Sequence, residues 1–160
     1  MLKLFGAVLV TAACGFCGKY CAREKKREYL SAQGFSELFE YLLLRLPSLE
    51  LMENILADFH QPYLESVGAC ALLKEGGPCN KRYLNAIQLF AGDKELYSVL
   101  SSVKQGFGCT EYRMQEASLA SARDRLAPIC EKRRQRYLTE GKCYPRLGLL
   151  LGAALSILML

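Results

Sequence analysis

Along most of this chain apolar and polar residues alternate with the period of an α-helix, and the alternation stops only at the two ends. Phe35, Leu38, Phe39 and Leu42 share one helix face, in a segment expected to end near Pro47. Ser48 is placed to cap a second helix, on which Met52, Ile55, Leu56 and Phe59 form the buried stripe. Pro62 should end that helix, a third segment covers Tyr63 to Lys74, and "EGGPCN" reads as a turn. Asn80 to Phe90 and Asp93 to Lys104 follow as shorter helices separated at Gly92. The last helix opens after Gly108, with Thr110 as its expected N-cap and Glu111 in the first turn, where an acid suits the helix dipole. Along it Tyr112, Gln115, Leu119, Ala122, Leu126 and Ile129 recur at spacings of 3 and 4, a seam that faces another helix. Gln115 stands in that seam among apolar neighbours, so its amide must find a partner or reach the rim. Pro128 is expected to bend or split the helix. No segment carries a β alternation. The fold class is therefore all-α, a helical bundle.

At the ends the polar positions disappear. Leu4 to Gly18 and Leu147 to Leu160 are 15 and 14 residues without a charge. As helices they reach roughly 21 to 23 Å, short of the ~30 Å hydrocarbon core of a bilayer. Neither is amphipathic, so neither suits the surface of a soluble fold. Both carry small residues at four-residue spacing, Ala7, Thr11 and Gly15 in one and Gly148, Gly152 and Ser156 in the other, which lets helix backbones approach closely in lipid. The expected architecture is a helical bundle between two short hydrophobic membrane-anchoring helices: 1–18 an N-terminal membrane segment, 19–146 a cytoplasmic helical domain, and 147–160 a C-terminal membrane segment.

Charge strengthens that expectation. The net charge of the 160 residues is +5, but it is unevenly spread. Lys19 to Tyr29 holds Lys19, Arg23, Lys25, Lys26 and Arg27 against two glutamates. Glu131 to Arg146 holds Lys132, Arg133, Arg134, Arg136, Lys142 and Arg146 against two more. Two basic collars thus stand just inside the apolar ends, where Lys and Arg snorkel and meet anionic lipid. Outside the collars there is only Lys3 at the front end, so the positive-inside rule places the middle domain in the cytoplasm with both chain ends directed across the bilayer. A nucleic-acid binder would spread its basic residues over a face with aromatics between them, which is not the pattern here. The competing reading is export: Lys3, an apolar stretch and "VTAAC" resemble a signal peptide with Cys14 as an acylation site. Thr11 stands where such sites carry leucine, and the cluster of positive charges that follows hinders translocation. An exported lipoprotein or disulfide-bonded extracytoplasmic domain is the alternative to keep in view.

Candidate chemistry adds little. Eight cysteines are an even number, but three crowd the first apolar segment and the rest are scattered singly. Cys14 and Cys17 form a C-x-x-C pair without a second pair to complete a zinc site, and they read as small apolar residues of a membrane helix. A cytosolic domain would keep all of them as thiols. His60 is the single histidine, suited to a cationic place at a helix C-terminus. There is no phosphate-binding glycine loop, since Gly18-Lys19 lacks both the preceding glycine and the following hydroxyl. Neither a catalytic site, a metal nor a cofactor is expected.

Three stretches, "MLKLFGAVLV", "FGCTEYRMQ" and "YPRLGLLLGAALSILML", resemble the stage III sporulation protein AB family of endospore-forming bacteria. The family's glycine–acid–glutamine motif falls on Phe107, Gly108, Glu111 and Gln115, with Phe107 in place of leucine and Glu111 in place of aspartate. Its closing Tyr-x-x-Leu-Gly-x-x-x-Gly falls on Tyr144, Leu147, Gly148 and Gly152. Between them the likeness is loose, with Pro47 and Leu49 as the recognisable remainder. The resemblance implies a non-catalytic component of the channel complex that joins mother cell and forespore, located in the mother-cell membrane around the forespore. It implies a cytoplasmic domain similar to that of the platform protein of type II secretion and type IV pilus machines. The implied partners are the hexameric secretion-type ATPase, stage III sporulation protein AA, other subunits of the complex and membrane lipids, with no nucleic acid and a homo-oligomer left open. Under this resemblance Phe107, Gly108, Glu111 and Gln115 are an interaction or structural motif, and Tyr144, Leu147, Gly148 and Gly152 pack helices in the membrane.

Overall fold

The computed structural model describes residues 2–48, 51–108 and 111–159, side chains 2–5, 7 and 159 excepted. Leu49, Cys109 and the expected cap Thr110 fall outside them. The described residues form helices joined by short turns, with no strand among them. In chain order these are α1 (Leu2–Arg45), α2 (Met52–Asp58), α3 (Pro62–Ser66), α4 (Ala69–Lys74), α5 (Cys79–Gln88), α6 (Lys94–Ser102), α7 (Tyr112–Arg136) and α8 (Lys142–Met159). They divide into two compact units, a central one of Leu30–Cys130 and a terminal one of Met1–Tyr29 with Glu131–Leu160.

The central unit is built on the two apolar faces read from the sequence. Phe35, Leu38, Phe39 and Leu42 of α1 are fully buried, and so are Leu119 and Leu126 of α7. Burying each such side chain contributes about 1.5–3 kcal/mol. The short helices close over them: Phe90 meets the Phe35 ring edge-on at 5.0 Å, and Phe59 lies 5.4 Å from Tyr41. Ile55, Leu56 and Phe59 are buried as expected, with Met52 partly so.

Local signals were redistributed in three places. Ser48 does not cap α2; its hydroxyl donates to the Arg45 carbonyl at 2.6 Å, closing the end of α1 instead. Pro62 does not end α2, which stops at Asp58, but opens α3 as its first residue. A proline there loses no helical bond, and Gln61 caps the turn by accepting from the Leu64 N–H at 2.6 Å. The segment expected from Tyr63 to Lys74 breaks at Gly68, whose φ of 81° ends α3 before α4 begins. Elsewhere the cap is the one a sequence reader would choose: Asp93 accepts from the Leu96 N–H at 3.1 Å and starts α6.

In the terminal unit the first part of α1 and α8 run antiparallel, since Gly18 meets Tyr144 and Thr11 meets Gly152. Nearer the collars, Arg133 donates to the Glu28 carbonyl at 3.1 Å, and the Tyr29 and Tyr137 rings stack at 6.1 Å. Pro128 does not split α7, which continues to Arg136. Its missing N–H removes one bond of the ladder and leaves the bonds on either side. The irregularity falls later, in a single π-helical turn at Tyr137–Gly141. Thr139 steadies it by donating to the Gln135 carbonyl at 2.8 Å.

Candidate functional site

Two constellations stand out, one in each unit. In the terminal unit the contact between α1 and α8 is backbone against backbone. A Cβ added at Gly148 would lie 2.5 Å from the Cys14 carbonyl oxygen, and one at Gly152 would lie 2.8 Å from the Thr11 Cα. A Cβ at Gly18 would run into the Tyr144 carbonyl. Only glycine permits such an approach. The hydroxyls beside it complete the contact. Across the pair the Thr11 and Ser156 hydroxyls are hydrogen-bonded at 2.7 Å, and the Gly152 carbonyl lies within reach of both, 2.8 Å from Ser156 Oγ and 3.3 Å from Thr11 Oγ1. In an apolar surrounding such an interhelical bond contributes about 0.6–2 kcal/mol.

The face expected on α1 was Ala7, Thr11 and Gly15. Thr11 is in the contact, but a Cβ at Gly15 would find only the Leu149 side chain at 4.0 Å, and the Ala7 side chain lies outside those described. The face in use is Thr11, Cys14 and Gly18, because a seam between nearly aligned helices advances by alternating steps of three and four. Of the residues expected on the other side, Gly148 and Gly152 face α1, Tyr144 presents its backbone to Gly18 and its hydroxyl to Glu140 at 3.3 Å, and Leu147 is exposed. Away from the contact the hairpin is greasy. Val8, Leu9 and Phe16 on α1 and Leu150, Leu151, Ile157 and Leu158 on α8 are all more than half exposed. Among the described residues, however, no helix is long and apolar enough to cross a membrane.

In the central unit the turn before α7 separates its four motif residues. Phe107 is buried and stacks on Tyr83 with centroids 4.1 Å apart. Tyr83 is itself fully buried, donates to the Leu100 carbonyl at 2.8 Å, and has its phenol pushed far above the usual range by burial. Gly108 holds a left-handed φ of 74° that other residues rarely adopt, and a Cβ there would sit 3.0 Å from Cys79 Cβ. Glu111 is exposed just ahead of α7, and its carbonyl accepts from the Gln115 N–H at 3.1 Å. Gln115 is buried, and its Nε2 has no hydrogen-bond partner among the described residues. Sequence reasoning placed Gln115 in the seam but offered nothing about Tyr83, whose pairing with Phe107 joins segments far apart in the chain.

None of the seven described cysteines is in a disulfide. Burial raises the pKa of Cys70 and of Cys79 above the usual thiol value. His60, exposed, sits 2.7 Å from a Glu65 carboxylate oxygen. Among the described residues no group of three or more His, Cys, Asp or Glu side chains is gathered to hold a metal ion.

A family model for stage III sporulation protein AB matches residues 3–160. The chain belongs to that family. No curated protein and no solved structure matches it. In this stage III sporulation protein AB family member Gln115 lies inside the core, where a lone amide N–H costs about 1–3 kcal/mol. Gln115→Leu is therefore expected to raise stability by about 1 kcal/mol, read as a higher urea midpoint at unchanged slope. A fall of similar size would show that the amide is bonded in solution.

Proposed function

We propose that this sporulation protein is a non-catalytic membrane platform on which a secretion-type ATPase docks. The observation that carries the reading is the terminal hairpin, whose inner faces meet through Gly18, Gly148 and Gly152 while its outer faces expose leucine, isoleucine and phenylalanine. Such a pair has small residues where helices touch and large apolar ones where lipid would be. The basic collars lie at the end of the hairpin next to the π turn, where anionic headgroups would meet them. Short apolar segments are accommodated by local thinning of the bilayer and by snorkelling of Lys and Arg. The positive-inside rule then assigns the central unit to the cytoplasm, the compartment of the ATPase.

Thiol labelling tests the placement. Intact protoplasts treated with a membrane-impermeant maleimide should leave Cys70, Cys79 and Cys130 unlabelled, and permeabilisation followed by denaturation should expose all three. Labelling in intact cells, or cysteines found oxidised, would put the central unit outside, as the exported alternative requires. For the docking surface, Glu111 is the motif side chain that projects into solvent. Glu111→Lys should reduce co-purification of stage III sporulation protein AA about tenfold, while stability stays within about 0.5 kcal/mol, as surface substitutions do. Undiminished capture would move the docking face elsewhere.

A further inference from the structure

A trough of about 530 Å³ lies between α1 and α8 in the terminal unit, within the size range of small-molecule sites. One wall is Val8, Ala12 and Phe16 of α1, the other Pro145 and Leu149 of α8, and Lys19, the first residue of the first collar, closes one end. From Val8 to Lys19 the α1 wall runs roughly 16 Å at helical rise. The hydroxyls of Thr11 and Ser156 also border it, but each is already engaged with the other, so the interior offers an occupant only apolar contact. The charge is all at one end. Lys19, exposed and without a carboxylate partner among the described residues, is the one charged residue of the lining.

We infer that this trough holds one acyl chain of an anionic phospholipid, with the lipid phosphate on Lys19. A long apolar slot closed by a single unpaired cation matches the order of groups in such a lipid: hydrocarbon along the walls, negative charge at the interface. The trough thereby gives one lysine of the first collar a particular lipid, beyond the general attraction of the collars as a whole. The inference rests on the membrane placement proposed above.

The full chain, reconstituted in phosphatidylcholine vesicles, is probed with spin-labelled phosphatidylglycerol and, separately, spin-labelled phosphatidylcholine. Wild type should immobilise the phosphatidylglycerol probe in preference to the phosphatidylcholine one. Lys19→Gln should lower that preference about fivefold, the change that one lysine near an anionic surface makes. Lys19→Arg should keep it, and Ala12→Phe, which fills the trough, should reduce the immobilised fraction for both probes. Equal immobilisation of the two probes by wild type, or a preference unchanged in Lys19→Gln, overturns the inference and leaves the membrane placement standing. So does dimerisation that shields the trough from both probes, which would assign it to a second copy of the chain. A chain that does not float with the vesicles overturns both.

Discussion

Replacing Gly148 and Gly152 together by leucine is expected to force α1 and α8 apart. Each new side chain would have to occupy space now filled by the backbone at Cys14 or Thr11, and backbone cannot swing aside as a side chain can. Overpacking of a fitted contact typically costs about 1–3 kcal/mol per site, so the pair should lose more than the Thr11–Ser156 hydrogen bond contributes. A disulfide trap reads the outcome. With Cys14, Cys17, Cys21 and Cys143 replaced by serine, Thr11→Cys and Ser156→Cys should cross-link readily, because the two hydroxyl oxygens they replace are 2.7 Å apart. Adding the two leucines should abolish the cross-link while the protein still sediments with membranes. An undiminished cross-link would mean that α8 reaches α1 by another face.

Phe107→Ala is expected to destabilise the central unit strongly. Deleting a buried phenylalanine costs about 3–5 kcal/mol, and here it also strips one face of the Tyr83 ring, whose hydroxyl ties α5 to the Leu100 carbonyl. Out of a stability of about 5–15 kcal/mol, that is a large fraction. Urea unfolding of the purified chain should show it as a lowered midpoint, with Glu111→Ala a few residues away changing stability by less than about 0.5 kcal/mol. Equal costs at the two positions would mean that the turn acts as one structural unit, and the separation of buried Phe107 from exposed Glu111 would lose its functional meaning.

The contrast between these sites shows what the sequence could reveal. The faces of α1 and α7 were legible because burial alone decides them: Phe35, Leu38, Phe39 and Leu42, like Leu119, Ala122 and Leu126, have no other place to go. Caps were less legible, because Ser48 and Pro62 each suit two positions equally well. Ser48 can bond forward into α2 or back to Arg45, and proline is as acceptable at the first turn of a helix as beyond its end. Only tertiary packing chooses. On α8 the glycines were found by spacing, and on α1 so was Thr11, but Cys14 and Gly18 were not, since Ala7 and Gly15 at four-residue spacing are as small. Which set meets α8 depends on the path of the seam, which a single helix does not contain. Family membership was carried by the order of three short stretches, and it extends to residues 3–160. The sequence placed Gln115 among apolar neighbours, but that its amide Nε2 is buried without a partner among the described residues is decided by packing from outside its own helix.

The π turn at Tyr137–Gly141 works as a phase setting for the tail. One residue more than an α-helical turn needs rotates everything that follows by roughly 100°. Deleting Thr139 would restore regular winding and swing Gly148, Gly152 and Ser156 more than a quarter-turn away from Thr11, Cys14 and Gly18, with every residue of the contact still present. Which residues α8 offers to its neighbour is thus decided by an angular offset laid down before the tail begins, and a change there would alter the pairing without touching a single interface side chain.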